Sequence, residues 1–135
     1  MVLVRDIMSK NVRVVQPNCS VKEVAANMNR FNIGSIVVVR GDKPVGVISE
    51  RDILKRVVEP CLAPETVTAE QIMTSPVVTI DETATMDEAV KLMAKKKVRK
   101  IPVMNKQKLA GIVTFTDIVT KVLATFSILE ELINS

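Results

Sequence analysis

Hydrophobic and polar residues follow the same succession of patterns in the two halves of the chain. Each half opens with a short β-branched run suited to a strand, at residues 12–15 and 77–80. A hydroxyl residue then stands three positions before a glutamate, as in a helix capping box, with Ser20 in the first half and Thr85 in the second. Apolar residues recur behind it at spacings of three and four, which predicts one amphipathic helix in each half.

A β-hairpin is predicted after each of these helices. Residues 36–39 and 45–48 are apolar runs separated by a turn cluster, and residues 101–104 and 109–113 repeat the arrangement. Because the strands are apolar at nearly every position, both faces of each sheet are expected to be covered. The remaining predictions are closing helices at 50–58 and 115–125 and, at 127–133, either a continuation of the last helix or a separate tail.

The two halves are copies of one another. A shift of 65 positions lays residues 6–58 over 71–123 without a gap, and 12 of the 53 pairs are identical, against about four expected by chance. Residues 59–70 contain two prolines and are the linker, since proline interrupts helices. The sequence therefore predicts repeat 1 at 1–62, repeat 2 at 66–126 and a helical extension or tail at 127–135.

Each repeat reads strand, helix, strand, strand, helix, which is an α+β unit of about 55 residues. A unit of that size buries too little surface to be well stabilised alone. One face of its sheet can pack on its own helices, and the other face is expected to pack on the sister repeat. We therefore expect two β-α-β-β-α repeats packed as a pseudo-twofold sandwich.

The composition argues against several classes of function. The chain has no histidine, and Cys19 and Cys61 are 42 positions apart, so no metal site is expected and both thiols are expected to be buried or half-buried. Without histidine or paired carboxylates, no catalytic residue is predicted and the protein is not expected to be an enzyme. No apolar run approaches the length of about 20 residues that spans a membrane, and no signal peptide opens the chain, so a cytoplasmic location without membrane contact is expected.

The exit of each hairpin carries a hydroxyl residue three positions before an aspartate, Ser49 with Asp52 and Thr114 with Asp117. One interpretation is a helix cap, in which hydroxyl and carboxylate satisfy the free N–H groups of the helix start. The other is a ligand site, because a helix N-terminus and a hydroxyl can bind phosphate while a carboxylate accepts hydrogen bonds from a ribose. Local chemistry alone leaves both interpretations open.

These segments, together with Asp6-Ile-Met8, Gln71-Ile-Met73 and Ile101-Pro-Val103, resemble a tandem pair of CBS domains, also called a Bateman module. The resemblance covers about residues 5–125, with two motif copies in register. It implies a regulatory module without catalysis that binds adenosine ligands, namely AMP, ADP, ATP or S-adenosylmethionine, in two clefts between the repeats. Whether Mg²⁺ accompanies ATP is left open. The resemblance also implies an effector protein, of unknown identity, outside this chain.

Carried over position by position, the resemblance assigns residues of this chain to the two clefts. The position before the Ile-Pro-Val strand, often basic in the family, is Lys100 in the first cleft and Ser35 in the second. The second cleft is therefore expected to bind phosphate more weakly, with Arg51 nearby as a substitute. The first cleft would use Ser20, Ala25, Ile33, Lys100, Ile112, Thr114 and Asp117, and the second Ser35, Val47, Ser49, Asp52, Thr85, Val90 and Val98.

Two alternative functions stay open at this point. Residues 95–100 contain five cations in six positions, which suits a solvated helix end or phosphate contact but also a nucleic-acid backbone. The mild net charge of +4 and the scarcity of aromatic residues argue against nucleic-acid binding. The second alternative is a purely structural or interaction protein whose clefts stay empty.

A homodimer is predicted from the closing helices. They carry more apolar residues than one small core can hide, and the exposed remainder could form a self-complementary interface. The residues concerned are Ile53, Leu54, Val57, Val58, Ile118, Val119, Val122 and Leu123.

Overall fold

The computed structural model describes residues 1–135 as two compact units. One unit consists of Val12–Val77, and the other combines Met1–Asn11 with Val78–Ser135. We call them the first-repeat unit and the second-repeat unit, after the repeat that supplies the sheet of each. Each contains a three-stranded sheet and helices, which confirms the predicted α+β class.

The first-repeat unit is built on a mixed sheet. Strand β1 (Val14–Val15) lies parallel to β2 (Ser35–Arg40), which pairs antiparallel with β3 (Lys43–Ser49). The hairpin between β2 and β3 is the one that the two apolar runs predict. The helices, numbered in chain order, are α2 (Val21–Phe31), α3 (Glu50–Ile53), a π-helical turn at Leu54–Val58 that continues α3, and α4 (Ala69–Ile72).

The second-repeat unit has the same topology. Strand β4 (Ile80–Asp81) lies parallel to β5 (Lys100–Asn105), which pairs antiparallel with β6 (Lys108–Thr114). The C-terminal residues continue the closing helix to Asn134, so they form no separate tail. The helices are α1 (Val4–Ile7), α5 (Met86–Lys96) and α6 (Phe115–Asn134), and no helix of the protein combines the length and apolarity needed to cross a membrane.

Each unit has its own apolar core, and no polar or charged residue is buried. The stripe that the sequence predicts on the first amphipathic helix is buried at Val21, Val24 and Met28. Val37 and Val39 are buried as well as Val38, so residues on both faces of β2 are covered, as its unbroken apolar run predicts. The second core comprises Val4, Ala89, Met93, Ile101, Val103, Val113 and Ile118.

The segment that opens each repeat belongs to the unit of the other repeat. We call residues 1–11 the first leader and residues 66–76, their counterparts after the 65-residue shift, the second leader. In the first leader, the Val4 amide donates to the Ala84 carbonyl at 2.8 Å, and Ser9 exchanges two backbone hydrogen bonds of 2.9 Å with Ile112. The second leader makes the equivalent bonds within the first-repeat unit, with Thr74 bonded to Val47. The repeats have therefore exchanged leaders.

Two equivalent glycines make room for the leaders. A methyl group at Gly111 would lie 2.6 Å from the backbone oxygen of Ser9, whereas one at Gly46 would meet only the flexible side chain of Met73, with its Cγ at 2.7 Å. We expect Gly111→Ala to lower the free energy of unfolding by about 1–3 kcal/mol, because backbone must shift to admit the methyl group. Gly46→Ala should cost clearly less, since a Met side chain can change rotamer. Urea unfolding of the two variants provides the comparison, and equal losses would contradict it.

Several predicted boundaries change in the structure. The runs at 12–15 and 77–80 contribute only Val14–Val15 and Ile80 to the sheets, and Asp81 extends the second strand by one residue, because only these residues pair with the neighbouring strand. The closing helix at 50–58 turns from α to π at Leu54, where the Glu59 amide donates to the carbonyl five residues back. Residues 69–72, of which the first two lie in the predicted linker, form α4.

Candidate functional site

Both hydroxyl-x-x-aspartate segments form reciprocal helix caps. At the start of α6, the Asp117 amide donates to Thr114 Oγ1 at 3.1 Å and the Thr114 amide donates to Asp117 Oδ2 at 2.9 Å. At the start of α3, Ser49 and Asp52 make the same pair of bonds at 3.2 and 2.9 Å. The capping interpretation is therefore confirmed at both sites. Capping uses one carboxylate oxygen of each aspartate and leaves the other for a further partner.

That second oxygen is free at Asp117 and occupied at Asp52. Asp52 Oδ1 accepts a hydrogen bond from Thr74 Oγ1 at 3.2 Å and lies 4.0 Å from the Arg56 guanidinium. The same guanidinium donates to the carbonyl oxygens of Ile72 and Met73, so it ties this aspartate to the second leader. No other group in the chain donates a hydrogen bond to Asp117 Oδ1. Of the two equivalent aspartates, only Asp117 therefore presents an unused carboxylate oxygen.

The strand register places the predicted phosphate-binding cation beside the same cap. Lys100 is the first residue of β5 and pairs with Thr114, the last residue of β6. Lys100 is exposed, so its ammonium group is available to a ligand. In the first-repeat unit the equivalent pair is Ser35 with Ser49, which carries no charge. The structure thus brings Lys100, Thr114 and Asp117 together at the open end of one hairpin.

Each unit also contains a cavity between its amphipathic helix and its closing helix. The cavities measure about 380 Å³ in the first-repeat unit and about 440 Å³ in the second-repeat unit. Ala25 and Ile33 line the first, and their counterparts Val90 and Val98 line the second. The further lining residues are Met28, Asn29, Asn32, Gly34, Glu50, Ile53 and Leu54 in the first cavity, and Met93, Ala94, Lys97, Arg99, Phe115 and Ile118 in the second.

The two cavities differ in chemistry although they occupy equivalent positions. Asn29 and Glu50 make the first one polar, and the 65-residue shift replaces them with Ala94 and Phe115 in the second. The Arg99 guanidinium lies 4.7 Å from the centre of the Phe115 ring, a cation–π contact that covers one wall. Asn29, Glu50, Ala94 and Phe115 are not among the predicted site residues. The 65-residue shift relates the two linings, because all eight lining residues of the second cavity have counterparts that line the first.

The remaining predicted site residues have structural partners. The hydroxyls of Ser20 and Thr85 cap α2 and α5, accepting hydrogen bonds from the amides of Glu23 and Glu88. Val47 and Ile112 are half-buried, and their backbone groups bond to the leaders. Each predicted cleft takes residues from both units, so the clefts as wholes stay predictions. Arg51, the suggested substitute for the missing lysine, is exposed on α3.

The two thiols lie in different environments. Cys61 is exposed, so the expectation that both would be buried or half-buried is wrong for this residue, which lies in the turn after the π-helical segment. Cys19 is half-buried, and burial, reinforced by its hydrogen bond to Glu23, raises the pKa of its thiol to about 12.

A raised pKa keeps the Cys19 thiol protonated at pH 8, and the thiolate is the reactive form. We expect iodoacetamide at pH 8 to label Cys61 first and to leave Cys19 largely unmodified until the protein unfolds. Peptide mapping after timed labelling measures the two rates, with the Cys61→Ser variant as the control. Faster labelling of Cys19 than of Cys61 in the folded protein would contradict this expectation.

Comparison with known proteins places the chain in a family. The model of the CBS domain matches residues 4–59 and 69–124, and the chain therefore belongs to the CBS-domain family, as a tandem pair. Such pairs are generally regulatory modules, and CBS-domain proteins are typically regulatory rather than catalytic. The two matched segments agree with the two repeats that the 65-residue shift defines.

Relatives and solved structures are similar to this chain over most of its length. The uncharacterized protein MK0525 of Methanopyrus kandleri is 40% identical over 119 residues, which span 87% of this chain and 61% of that protein. Hypoxic response protein 1 of Mycobacterium tuberculosis is 30% identical, over 87% of this chain and 83% of its own length. The crystal structure of Hypoxic Response Protein I with two coordinated zinc ions superposes with a TM-score of 0.81, at 30% identity, over 90% of this chain and 99% of the other.

A conserved protein from Pyrococcus horikoshii gives a TM-score of 0.79 at 30% identity, over 90% of this chain and 92% of the other. These likenesses confirm the fold. The zinc ions belong to the other protein's structure, and the present chain contains no histidine and no group of three side chains that could hold a metal ion.

Proposed function

We propose that the protein is a regulatory sensor of adenosine ligands, with its principal site at Lys100, Thr114 and Asp117. The observation that carries this proposal is the unused Asp117 oxygen at the N-terminus of α6, next to an exposed lysine. A carboxylate can accept hydrogen bonds from both hydroxyls of a ribose. An ammonium group and a helix N-terminus both favour phosphate. The ligand class that combines a ribose with phosphate is a nucleotide.

The second predicted site, at Ser49 and Asp52, is expected to bind weakly. Its carboxylate is bonded to Thr74 and faces Arg56, so a ribose would have to displace these partners. The position of the lysine is taken by Ser35, which carries no charge. We therefore propose one strong adenosine site per chain, with AMP, ADP, ATP or S-adenosylmethionine as the candidate ligands. The resemblance leaves open whether Mg²⁺ accompanies ATP.

We further propose that the protein acts as a homodimer and signals to a separate effector protein. Of the eight apolar residues predicted to form the interface, Leu54, Val58, Val122 and Leu123 are exposed, whereas Val57 and Ile118 are buried in the cores of their units. Ile53 and Val119 are half-buried. Half of the predicted set is thus available for contact with a second copy.

Calorimetric titration with AMP, ADP, ATP with and without Mg²⁺, S-adenosylmethionine and GTP tests the sensor proposal. At a ligand concentration of 100 times the dissociation constant, the adenosine ligand should raise the free energy of unfolding by about 2.7 kcal/mol, because it binds only the folded state. GTP serves as the matched control for phosphate and ribose without adenine. Absence of heat and of thermal stabilisation with every adenosine compound would overturn the proposal.

The basic segment at residues 95–100 supports a second candidate, binding to a nucleic-acid backbone. All its cations are exposed, although Arg99 is engaged with Phe115. Backbone binding weakens steeply with salt, because counterions are released from the phosphates. A DNA or RNA titration at two salt concentrations separates this candidate from the sensor. Binding that survives high salt would speak against a backbone contact.

A further inference from the structure

The C-terminal part of α6 presents an exposed apolar face. From Lys121 onward every residue is exposed, and Val122, Phe126, Leu129 and Ile133 have 46%, 62%, 51% and 81% of their surface accessible. Their spacings of four, three and four residues place them on one side of the helix. The CBS-domain match ends at residue 124, so most of this face lies in an extension beyond the matched segment.

Few interactions within this extension stabilise its helical conformation. Residues 119–134 include six β-branched side chains, which have reduced helix propensity, and neither salt bridge of the protein lies in α6. Thr125 donates a hydrogen bond back to the Lys121 carbonyl at 3.0 Å, a contact that does not strengthen a helix. Most helices in proteins are stabilised by packing of an apolar face. A helix that reaches Asn134 therefore needs a partner on this face.

We propose that the partner is the same segment of a second copy, packed antiparallel, a contact that deepens the proposed homodimer and does not depend on the ligand. The spacing of four, three and four reads the same in both directions along the helix. A twofold axis between Ser127 and Ile128 therefore sets Val122 of one copy level with Ile133 of the other, and Phe126 level with Leu129. An interface of this kind is self-complementary and closes at two copies.

The charges of the segment favour the antiparallel orientation. Lys121 stands at its beginning, and Glu130 and Glu131 stand near its end. A parallel pair would collect four carboxylates at one end, where like charges repel. An antiparallel pair separates them, brings each acidic end close to the turn that carries Lys121, and opposes the two helix dipoles.

The interface is tested by sedimentation of the full chain and two glutamate variants. The parent should be a dimer at tens of micromolar, and Phe126→Glu should raise the dimer dissociation constant by about 100-fold or more, because it buries a charge in the centre of the apolar face. Ser127→Glu, at a position that is also exposed but lies away from the apolar face of the same helix, should change it less than about threefold. A Phe126→Glu variant that dimerises like the parent would overturn the inference and leave the homodimer intact.

Orientation is tested by disulfide formation in a Cys19→Ser, Cys61→Ser background. Chains with Val122→Cys and chains with Ile133→Cys should cross-link rapidly when mixed, and each alone should not. Cross-linking within each separate preparation would show a parallel pair and overturn the inference. A parent chain that is monomeric would overturn both this contact and the homodimer, while nucleotide titration of the same sample reports separately on the adenosine site.

Discussion

Asp117→Asn is expected to weaken the binding of adenosine nucleotides by about 10- to 150-fold, which corresponds to the loss of about 1.5–3 kcal/mol for hydrogen bonds to a charged group. The Asp117 oxygen that we assign to the ribose has no partner in the chain, so its loss should act on ligand binding. Asparagine keeps the volume of the side chain and can still accept the Thr114 amide. Calorimetry with AMP and with 2′-deoxy-AMP measures the effect, and the variant should no longer distinguish the two compounds.

Asp52→Asn is the matched control, because it changes the equivalent aspartate of the other repeat. Its oxygens are bonded to Ser49 and Thr74 and face Arg56 within the fold, so the change should lower the melting temperature and leave the strong site unaffected. A loss of affinity in Asp117→Asn and a loss of stability in Asp52→Asn would distinguish a ligand-binding aspartate from a capping one. If Asp117→Asn only lowers stability and nucleotide affinity is preserved, Asp117 is a helix cap and nothing more.

Deletion of residues 1–8 should unfold the second-repeat unit. Chain ends usually tolerate deletion, but Val4 is fully buried in the core of that unit, together with Ile101 and Val113. The deletion also removes the backbone hydrogen bonds to Glu82 and Ala84. Together these losses should approach the 5–15 kcal/mol that stabilise a typical domain. Circular dichroism and urea unfolding of the shortened chain measure the effect.

A pair of point variants distinguishes the loss of the buried Val4 side chain from the shortening of the chain. Val4→Ser should cost about 2–4 kcal/mol, because it leaves a cavity and buries a hydroxyl. Arg5→Ser on the same short helix changes an exposed side chain and should stay within about 0.5 kcal/mol of the parent. If the two variants are equally stable, the first leader is not part of the core.

The features that could be predicted from the sequence are those that local patterns determine. The hairpins follow from paired apolar runs, and the caps at Ser20, Thr85 and Thr114 follow from a hydroxyl three positions before an acid. The repeats follow from one 65-residue shift. In each case the residues that matter lie within a few positions of one another, or recur at one fixed offset.

The features that escaped prediction depend on contacts distant in the chain or on segments too short to show a period. Helices α1 and α4 have four residues each, about one turn, which is too little for an apolar stripe to recur. The difference between Asp52 and Asp117 depends on Thr74, which lies 22 positions from its aspartate. The two aspartates share the same hydroxyl-x-x-aspartate motif, so the motif alone does not distinguish them.

The exchange of leaders bears on how such a protein can originate. A chain with a single repeat would carry a leader with no place to bind in its own unit, and the strand position equivalent to Ile112 would lack the backbone partner that Ser9 supplies. Two such chains could complete each other's units only by exchanging their leaders. Fusion of the two repeats into one chain makes the exchange of leaders intramolecular. Each leader then meets its binding site at an effective concentration in the millimolar range, as expected for a short linker. Tandem duplication therefore frees the completed fold from its dependence on protein concentration.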